Sequence, residues 1–556
     1  MVLSRYTFLT LILSAIIQAA ISPDATCGLK NNAAGNTCKG SSFGNCCSKN
    51  GWCGSTSAYC STGCQSGYGT CSTVTPTGFS ACIASKNVPV NYAASATYNQ
   101  LAKPYNLRLP YSPAAIVIPT NQQQVSDAVI CAAKNNLKVQ ARSGGHSYAS
   151  YSTGGKDGSI VIDLQSFQGI SVDAHGIAKV GGGVRLGNLA LGLYNQARRA
   201  ISHGTCPGVG IGGHASHGGY GYSARNWGLA LDAIFGLDVV LADGTAVYTS
   251  STAHPDLFYA LRGAADSFGI ITTFHLKTQA APDSIINWQF PFPGVLETPA
   301  IATKIMLHLQ DWAQNSSVVD RKLGGMGVYM DGDGTFSMSG TYFGDLATFN
   351  SKIKPELLRT LPTPGTPDIR VNNWLSSLQQ LAGSDPLSEP KSGYDKHDDF
   401  FAKSLVVPQS SPFTSTGLTS YFNYISQNLN NGMAWFSIIN LYGGADSQVN
   451  AVPASSAAYA DRSSLWVIQH YGWTTNADAP FPSNIQPFIT GLSNSLTSAQ
   501  TQTKFTAYLN YLDPSLSPAQ AHDLYYGPAV YNKLLTLKRQ LDPASVFWNP
   551  QAIGTT

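Results

Sequence analysis

Eight cysteines crowd the stretch from Cys27 to Cys71 (Cys27, Cys38, Cys46, Cys47, Cys53, Cys60, Cys64 and Cys71), and they constrain the fold more than any other feature of the chain. A segment this short, with almost no apolar run, cannot be held by hydrophobic burial alone, so cross-links must stand in for a core. The even, dense set reads as four disulfides, with a connectivity that spacing does not reveal. No histidine lies among these cysteines, so metal ligation is not expected. Disulfides belong to an oxidising compartment, and the N-terminus agrees. Arg5 precedes an apolar stretch from Tyr6 to Ala20 that is too short to span a bilayer and closes on Gln18-Ala19-Ala20, an end that a signal peptidase accepts. Residues 1–20 are therefore expected to be a signal peptide, and no later segment approaches 18 uninterrupted apolar residues. The expected product is secreted, extracellular and free of the membrane after cleavage. One sequon, Asn315-Ser316-Ser317, fits a glycosylated surface loop.

The remainder of the 556 residues is too long for one small module. Over the whole chain the hydrophobic fraction of 43% is that of a folded protein, and charged residues make up only 11%, against about 25% in typical domains. A net charge of +3 from 33 basic and 30 acidic residues gives no ground for nucleic acid, so neutral partners are expected. Ser72 to Gly78 reads as a linker, the body begins near Phe79, and no internal repeat is present. Ala115 to Ile118 reads as a strand, Thr120 with Gln123 as a capping box, and Val125, Val129 and Ala132 as the buried stripe of a helix. A further strand containing Val139 then leads into Arg142-Ser143-Gly144-Gly145-His146. This order is an α/β pattern with a loop where backbone N–H groups can approach a phosphate, but it is neither a G-x-G-x-x-G fingerprint nor a P-loop. Two more glycine clusters follow, Gly181 to Gly187 and Gly204 to His214. So much glycine means backbone brought close to something, because no Cβ stands in the way. Cys82 and Cys131 can pair with each other; Cys206 is then left over, and an unpaired thiol in a secreted protein needs a reason.

Two resemblances organise these observations. The first module, with Cys46-Cys47-Ser48, Gly51-Trp52-Cys53-Gly54 and Tyr59-Cys60, resembles hevein-type chitin-binding modules across all eight cysteines. The resemblance makes Ser48, Trp52 and Tyr59 the chitin-binding residues, aromatic faces stacking on sugar rings. Asn50 stands where many members carry another aromatic. The body from about 82 to 551, through Arg142 to Tyr148, Gly204 to His214, Ala260-Leu261-Arg262-Gly263 and Trp548-Asn549-Pro550, resembles the berberine-bridge-enzyme-like flavin oxidases, in closest form the fungal oligosaccharide oxidases.

That second resemblance implies an α+β architecture: a two-subdomain FAD-binding fold of the vanillyl-alcohol-oxidase type over 79–280, a substrate domain with an antiparallel sheet over 281–500, and a C-terminal segment over 501–556 that returns to the FAD domain. It also implies a doubly tethered FAD, bonded to His146 and Cys206, which would give the leftover thiol its reason. Arg142, Ser143, Gly144, Gly145, Ser147, Val209, Gly212, Gly213 and His214 are the other implied cofactor-binding residues, and a small residue at Val209 is implied to let dioxygen in. Tyr508-Leu509-Asn510-Tyr511 matches the family's Tyr-x-Asn-Tyr string, which makes Tyr511 the proton acceptor, with Tyr148 and Tyr508 at the substrate and Asn440 in the place of an aspartate partner. An ordinary tyrosine has pKa ~10, so Tyr511 must be partly ionised by its neighbours to act as a base near neutral pH. Arg321 or Lys322 falls where the related enzymes discriminate N-acetylglucosamine from glucose, and Trp288, Trp312, Trp374, Trp435, Trp466 and Trp473 include candidate sugar platforms. The expected activity is oxidation of the reducing-end anomeric carbon of chito-oligosaccharides by a monomeric enzyme, with hydrogen peroxide as co-product. The alternatives are an oxidase or dehydrogenase of cello- or other glucose oligomers with the same fold, a secondary-metabolite flavin oxidase, or a non-catalytic chitin-binding lectin.

Overall fold

The eight N-terminal cysteines pair as Cys27–Cys47, Cys38–Cys53, Cys46–Cys60 and Cys64–Cys71 in the computed structural model. It describes residues 19–28, 35–60, 63–71, 78–476 and 480–556. The expected signal peptide up to residue 18 and the linker from Ser72 to Thr77 therefore lie outside the described residues. The chain divides between Ala81 and Cys82 into two compact units.

In the first unit the cysteine sulfurs, with Tyr68, are the core. A two-stranded ladder joins Cys46–Cys47 to Cys53–Gly54. Cys27, Cys38 and Cys53 lie close enough to hold an ion, yet all three are consumed by disulfides. Ser48 is buried and its Oγ accepts the Trp52 N–H at 3.2 Å, closing the turn that carries the indole. Trp52 is 44% exposed, so it does not pack the module. The Tyr59 ring covers Gly54, where any Cβ would come within 2.3 Å of it, so that glycine is needed to seat the ring.

The second unit holds three larger sheets. Ala115–Val117, Ile160–Asp163 and Val139–Arg142 run parallel, edged by antiparallel Val90–Asn91. The helix Gln122–Lys134 packs over them with Val125, Val129 and Ala132 fully buried. Its cap is one residue later than the capping box predicted: the Asn121 side chain accepts from Gln124, while Thr120 is held by the Gln124 side chain. Asn competes with Thr for this position and here it wins. Cys82 and Cys131, both in the second unit, form a disulfide onto this helix. An antiparallel five-stranded sheet follows, in the order Ala246–Ser250, Ile234–Val240, Ile270–Lys277, Ile177–Gly181 and Ile170–Val172. The C-terminal helices Pro518–Tyr525 and Gly527–Leu541 bury Tyr525, Leu534 and Leu537 in the core of this sheet, and Phe547 bridges back to Val139.

The third sheet, with seven antiparallel strands, is built only from residues between 285 and 474, in the order Asp368–Asn372, Ile285–Pro291, Phe336–Tyr342, Leu323–Asp331, Ala434–Leu441, Ser464–Thr474 and Asp399–Pro408. Side chains alternate between its two faces. Trp288, Met326, Val328, Met338, Trp435, Ile439 and Ile468 enter a core covered by the helices Pro299–Gln314, Ser415–Ser426 and Ile485–Thr497. The opposite face carries Asn287, Gln289, Ser337, Ser339, Phe436, Ile438, Asn440, Gln469 and Tyr471, which line a cavity. Five of the six candidate tryptophan platforms (Trp288, Trp312, Trp374, Trp435 and Trp466) are at most 4% exposed and serve packing; Trp473 alone is partly exposed. Asn315 of the sequon is exposed at the end of a helix. No helix among the described residues is long and apolar enough to cross a membrane.

Candidate active site

The three glycine clusters converge because their backbones touch. A Cβ on Gly144 would lie 2.1 Å from the Gly210 nitrogen, and one on Gly210 would lie 2.0 Å from that of Gly144, so only glycine permits this packing. Ser143 ties the same loops together: its Oγ donates to the Gly182 carbonyl at 2.6 Å and accepts the Gly212 N–H at 3.1 Å. Arg185, 7% exposed, closes the arrangement by donating to the carbonyls of Gly144 and Gly208. The result is one wall of a cavity of about 1060 Å³, whose opposite wall is the polar face of the seven-stranded sheet.

On the glycine wall sit His146 and Cys206. Cys206 is the only free cysteine among the described residues and is exposed to the cavity, while the surrounding protein raises its thiol above the ordinary value. The His146 ring stacks on Tyr105 at 4.3 Å, and its Nε2 is 3.0 Å from the Tyr394 hydroxyl. Burial, with Arg185, Lys396 and His397 adding to it, pushes the imidazole down to about 3, so His146 is neutral at physiological pH. The backbone N–H groups of Gly145, His146 and Ser147 donate to no protein acceptor among the described residues, and Gly145 has φ +80°. Free N–H groups on a loop with a left-handed glycine suit an anion such as a pyrophosphate. Ser147, Val209, Gly212, Gly213 and His214 also line the cavity, and a Cβ at Gly213 would meet nothing within 4 Å. These features fit a dinucleotide flavin. Arg142 departs from expectation: its guanidinium is committed to Asp163 at 2.9 Å and to the Leu101 carbonyl, and it does not line the cavity. Its two bonds to Asp163 and one to the Leu101 carbonyl hold the guanidinium against the neighbouring strand.

In the same cavity, the Tyr511 ring is nearly parallel to Tyr148 at 5.9 Å and edge-on to Tyr508 at 5.1 Å. The Tyr148 hydroxyl accepts from Gln469 at 2.8 Å, and the Asn106 amide holds its backbone carbonyl at 2.7 Å. Tyr508 also lines the cavity. It is 2% exposed, and its hydroxyl accepts the N–H of Gly219 at 2.8 Å, of Tyr220 at 3.3 Å and of Asn510 at 3.0 Å. It supports Tyr511. Asn440 does reach the cavity, abutting Tyr222 across the gap left by Gly327. The electrostatics of Tyr511 run opposite to the sequence expectation: burial first, then Tyr508, Cys206 and Tyr222, raise its phenol above 10, and no cation counters them. Arg321 and Lys322 lie outside the cavity, Arg321 in an exposed pair with Asp446 at 2.7 Å. Tyr105 and Tyr394 carry no motif and were invisible in the sequence, and Arg185 stood inside the Gly181 to Gly187 cluster without being singled out.

Comparison with known proteins matches residues 113–250 to the family described as FAD binding domain, 507–554 to berberine and berberine like, and 26–71 to chitin recognition protein. The chain is 35% identical to a xylooligosaccharide oxidase of Thermothelomyces thermophilus over 85% of its own length and 93% of that protein. It is likewise 35% identical to a chitooligosaccharide oxidase of Gibberella zeae, over 85% and 93% of the two chains. It belongs to the berberine-bridge-enzyme-like FAD oligosaccharide oxidases. A solved glucooligosaccharide oxidase of Acremonium strictum, described with a 6-S-cysteinyl, 8α-N1-histidyl FAD, superposes with a TM-score of 0.79 at 32% identity, covering 86% of this chain and 99% of that one. The oxidase thus has the vanillyl-alcohol-oxidase fold, binds FAD and acts on carbohydrate, preceded by a disulfide-rich chitin-recognition module.

Proposed function

We propose that the protein is a secreted oxidase of chito-oligosaccharides that converts the reducing-end anomeric carbon to a lactone and reduces dioxygen to hydrogen peroxide. The observation that carries this reading is one cavity lined by His146, Cys206, Tyr148 and Tyr511, in a chain that also bears a chitin-recognition module. His146 and Cys206 hold the FAD covalently, and the loop from Ser143 to Ser147 receives its pyrophosphate. Bound FAD supplies the redox chemistry, taking the anomeric hydride and delivering the electrons to dioxygen. Tyr511 takes the proton of the anomeric hydroxyl, Tyr148 orients the reducing-end ring, and Asn440 offers a neutral amide where a carboxylate would add charge. Val209, partly exposed beside Cys206, leaves room for dioxygen. The body divides functionally at about residues 280 and 500, into FAD, substrate and C-terminal parts.

The module selects the substrate by mass action: a tethered chitin binder raises the local concentration of chitin fragments at the cavity. The test is peroxide release from chitotetraose, cellotetraose, xylotetraose and maltotetraose side by side. Preference for chitotetraose is expected. Preference for another oligomer would sink the chito-specific reading, and silence with all four would sink oligosaccharide oxidation altogether. A second measurement isolates the module. Trp52→Ala is expected to weaken retention on chitin beads about fivefold, the order of one lost aromatic stack, with turnover of soluble oligomer unchanged.

A further inference from the structure

We propose that Tyr394 prepares His146 for its covalent bond: its phenol oxygen accepts the Nε2–H, so the lone pair of Nδ1 is presented to the cavity. This rests on the reading of His146 as a tether. A neutral imidazole carries one N–H, and the partner of one ring nitrogen decides which nitrogen keeps it. The Tyr394 hydroxyl is that partner, 3.0 Å from Nε2, and Nδ1 has no protein partner among the described residues. Tyr394 is itself fixed. The Arg185 guanidinium lies 3.7 Å over its ring, Arg185 Nε donates to the Pro390 carbonyl at 3.3 Å, and its hydroxyl fills the space over Gly208, where a Cβ would come within 2.0 Å of it. Arg185 therefore joins the Gly144 and Gly208 loops to the segment carrying Tyr394, and Tyr105 stacked on the imidazole fixes the ring plane.

The bond balances as follows. Nδ1 bonds to the flavin methyl carbon as one methyl C–H and the imidazole N–H are lost, and the two protons and two electrons stay on the flavin until dioxygen removes them as hydrogen peroxide. The proton given up by the imidazole leaves from Nε2, and the Tyr394 hydroxyl is the group placed to pass it on.

The experiment uses the Cys206→Ala enzyme, in which His146 is the only tether, and compares total FAD per chain with the FAD that remains attached after acid precipitation. Cys206→Ala is expected to retain tethered FAD. Adding Tyr394→Phe should leave total FAD unchanged and lower the tethered fraction about tenfold, the scale on which an orienting partner acts. Tyr394→Gln, which restores an acceptor oxygen, should recover it. An undiminished tethered fraction with Tyr394→Phe would overturn the inference and leave His146 as the tether. Absence of tethered FAD in Cys206→Ala itself would overturn the reading of His146. Should Tyr394→Phe bind no FAD, Tyr394→Gln decides: tethering supports the inference, and bound but untethered FAD overturns it.

Discussion

Replacing Tyr511 by Phe is expected to lower kcat by about 10²–10⁴-fold, the contribution of a positioned proton acceptor, while the flavin stays bound and yellow. The change removes one hydroxyl that faces the cavity and leaves the ring between Tyr148 and Tyr508. Burial first, then Tyr508 and Tyr222, raise this phenol, and Cys206 adds to them only while its thiol is free, so the phenol is protonated throughout the neutral range and its ionised share grows with pH. Activity should therefore climb toward alkaline pH in the wild type, and that slope should vanish in Tyr511→Phe. Peroxide release across pH, with the anaerobic rate of flavin bleaching by sugar as a second readout, checks both. An unchanged kcat would remove Tyr511 from the reaction.

Lys538→Met should lower stability by about 3–5 kcal/mol, because it strands a buried partner. Lys538 is 3% exposed and donates to Asp542 at 2.7 Å, to the Ser267 carbonyl at 2.6 Å and to the Phe547 carbonyl at 2.8 Å. Asp542 is 1% exposed and also accepts the N–H of Val546 and Phe547. This cluster fastens the C-terminal helix to the FAD-side core, so its loss should lower the guanidinium midpoint. Lys538→Met combined with Asp542→Asn should recover part of the loss. A single variant as stable as the wild type would show that the pair contributes nothing net.

What could be read in the sequence was local. The family resemblance, carried by two glycine-rich strings, singled out His146 and Cys206, and the structure brings both strings to one cavity. The helix Gln122–Lys134 was legible from its buried stripe, and its cap was misplaced by one residue because Thr120 and Asn121 are both competent caps. Interactions across long sequence separations were not legible. Nothing near Arg142 announces that Asp163 will absorb its charge, nothing near Tyr508 announces that Gly219 and Tyr220 will fill its hydroxyl, and Tyr394 meets His146 across 248 positions. Burial raises the Tyr511 phenol first, with Tyr508, Cys206 and Tyr222 after it, and a cover assembled by the fold is not written in the Tyr-x-Asn-Tyr string.

The seven-stranded sheet writes two messages on alternate letters. Along Ala434–Leu441, Trp435, Ile439 and Leu441 specify folding, while Phe436, Ile438 and Asn440 specify what the cavity admits. Because neighbouring letters face opposite sides, each message can be edited without rewriting the other. A library confined to Asn287, Gln289, Ser337, Ser339, Ile438 and Gln469 would explore new sugars at little cost in stability, whereas inserting a single residue into any of these strands would exchange the two messages and erase both.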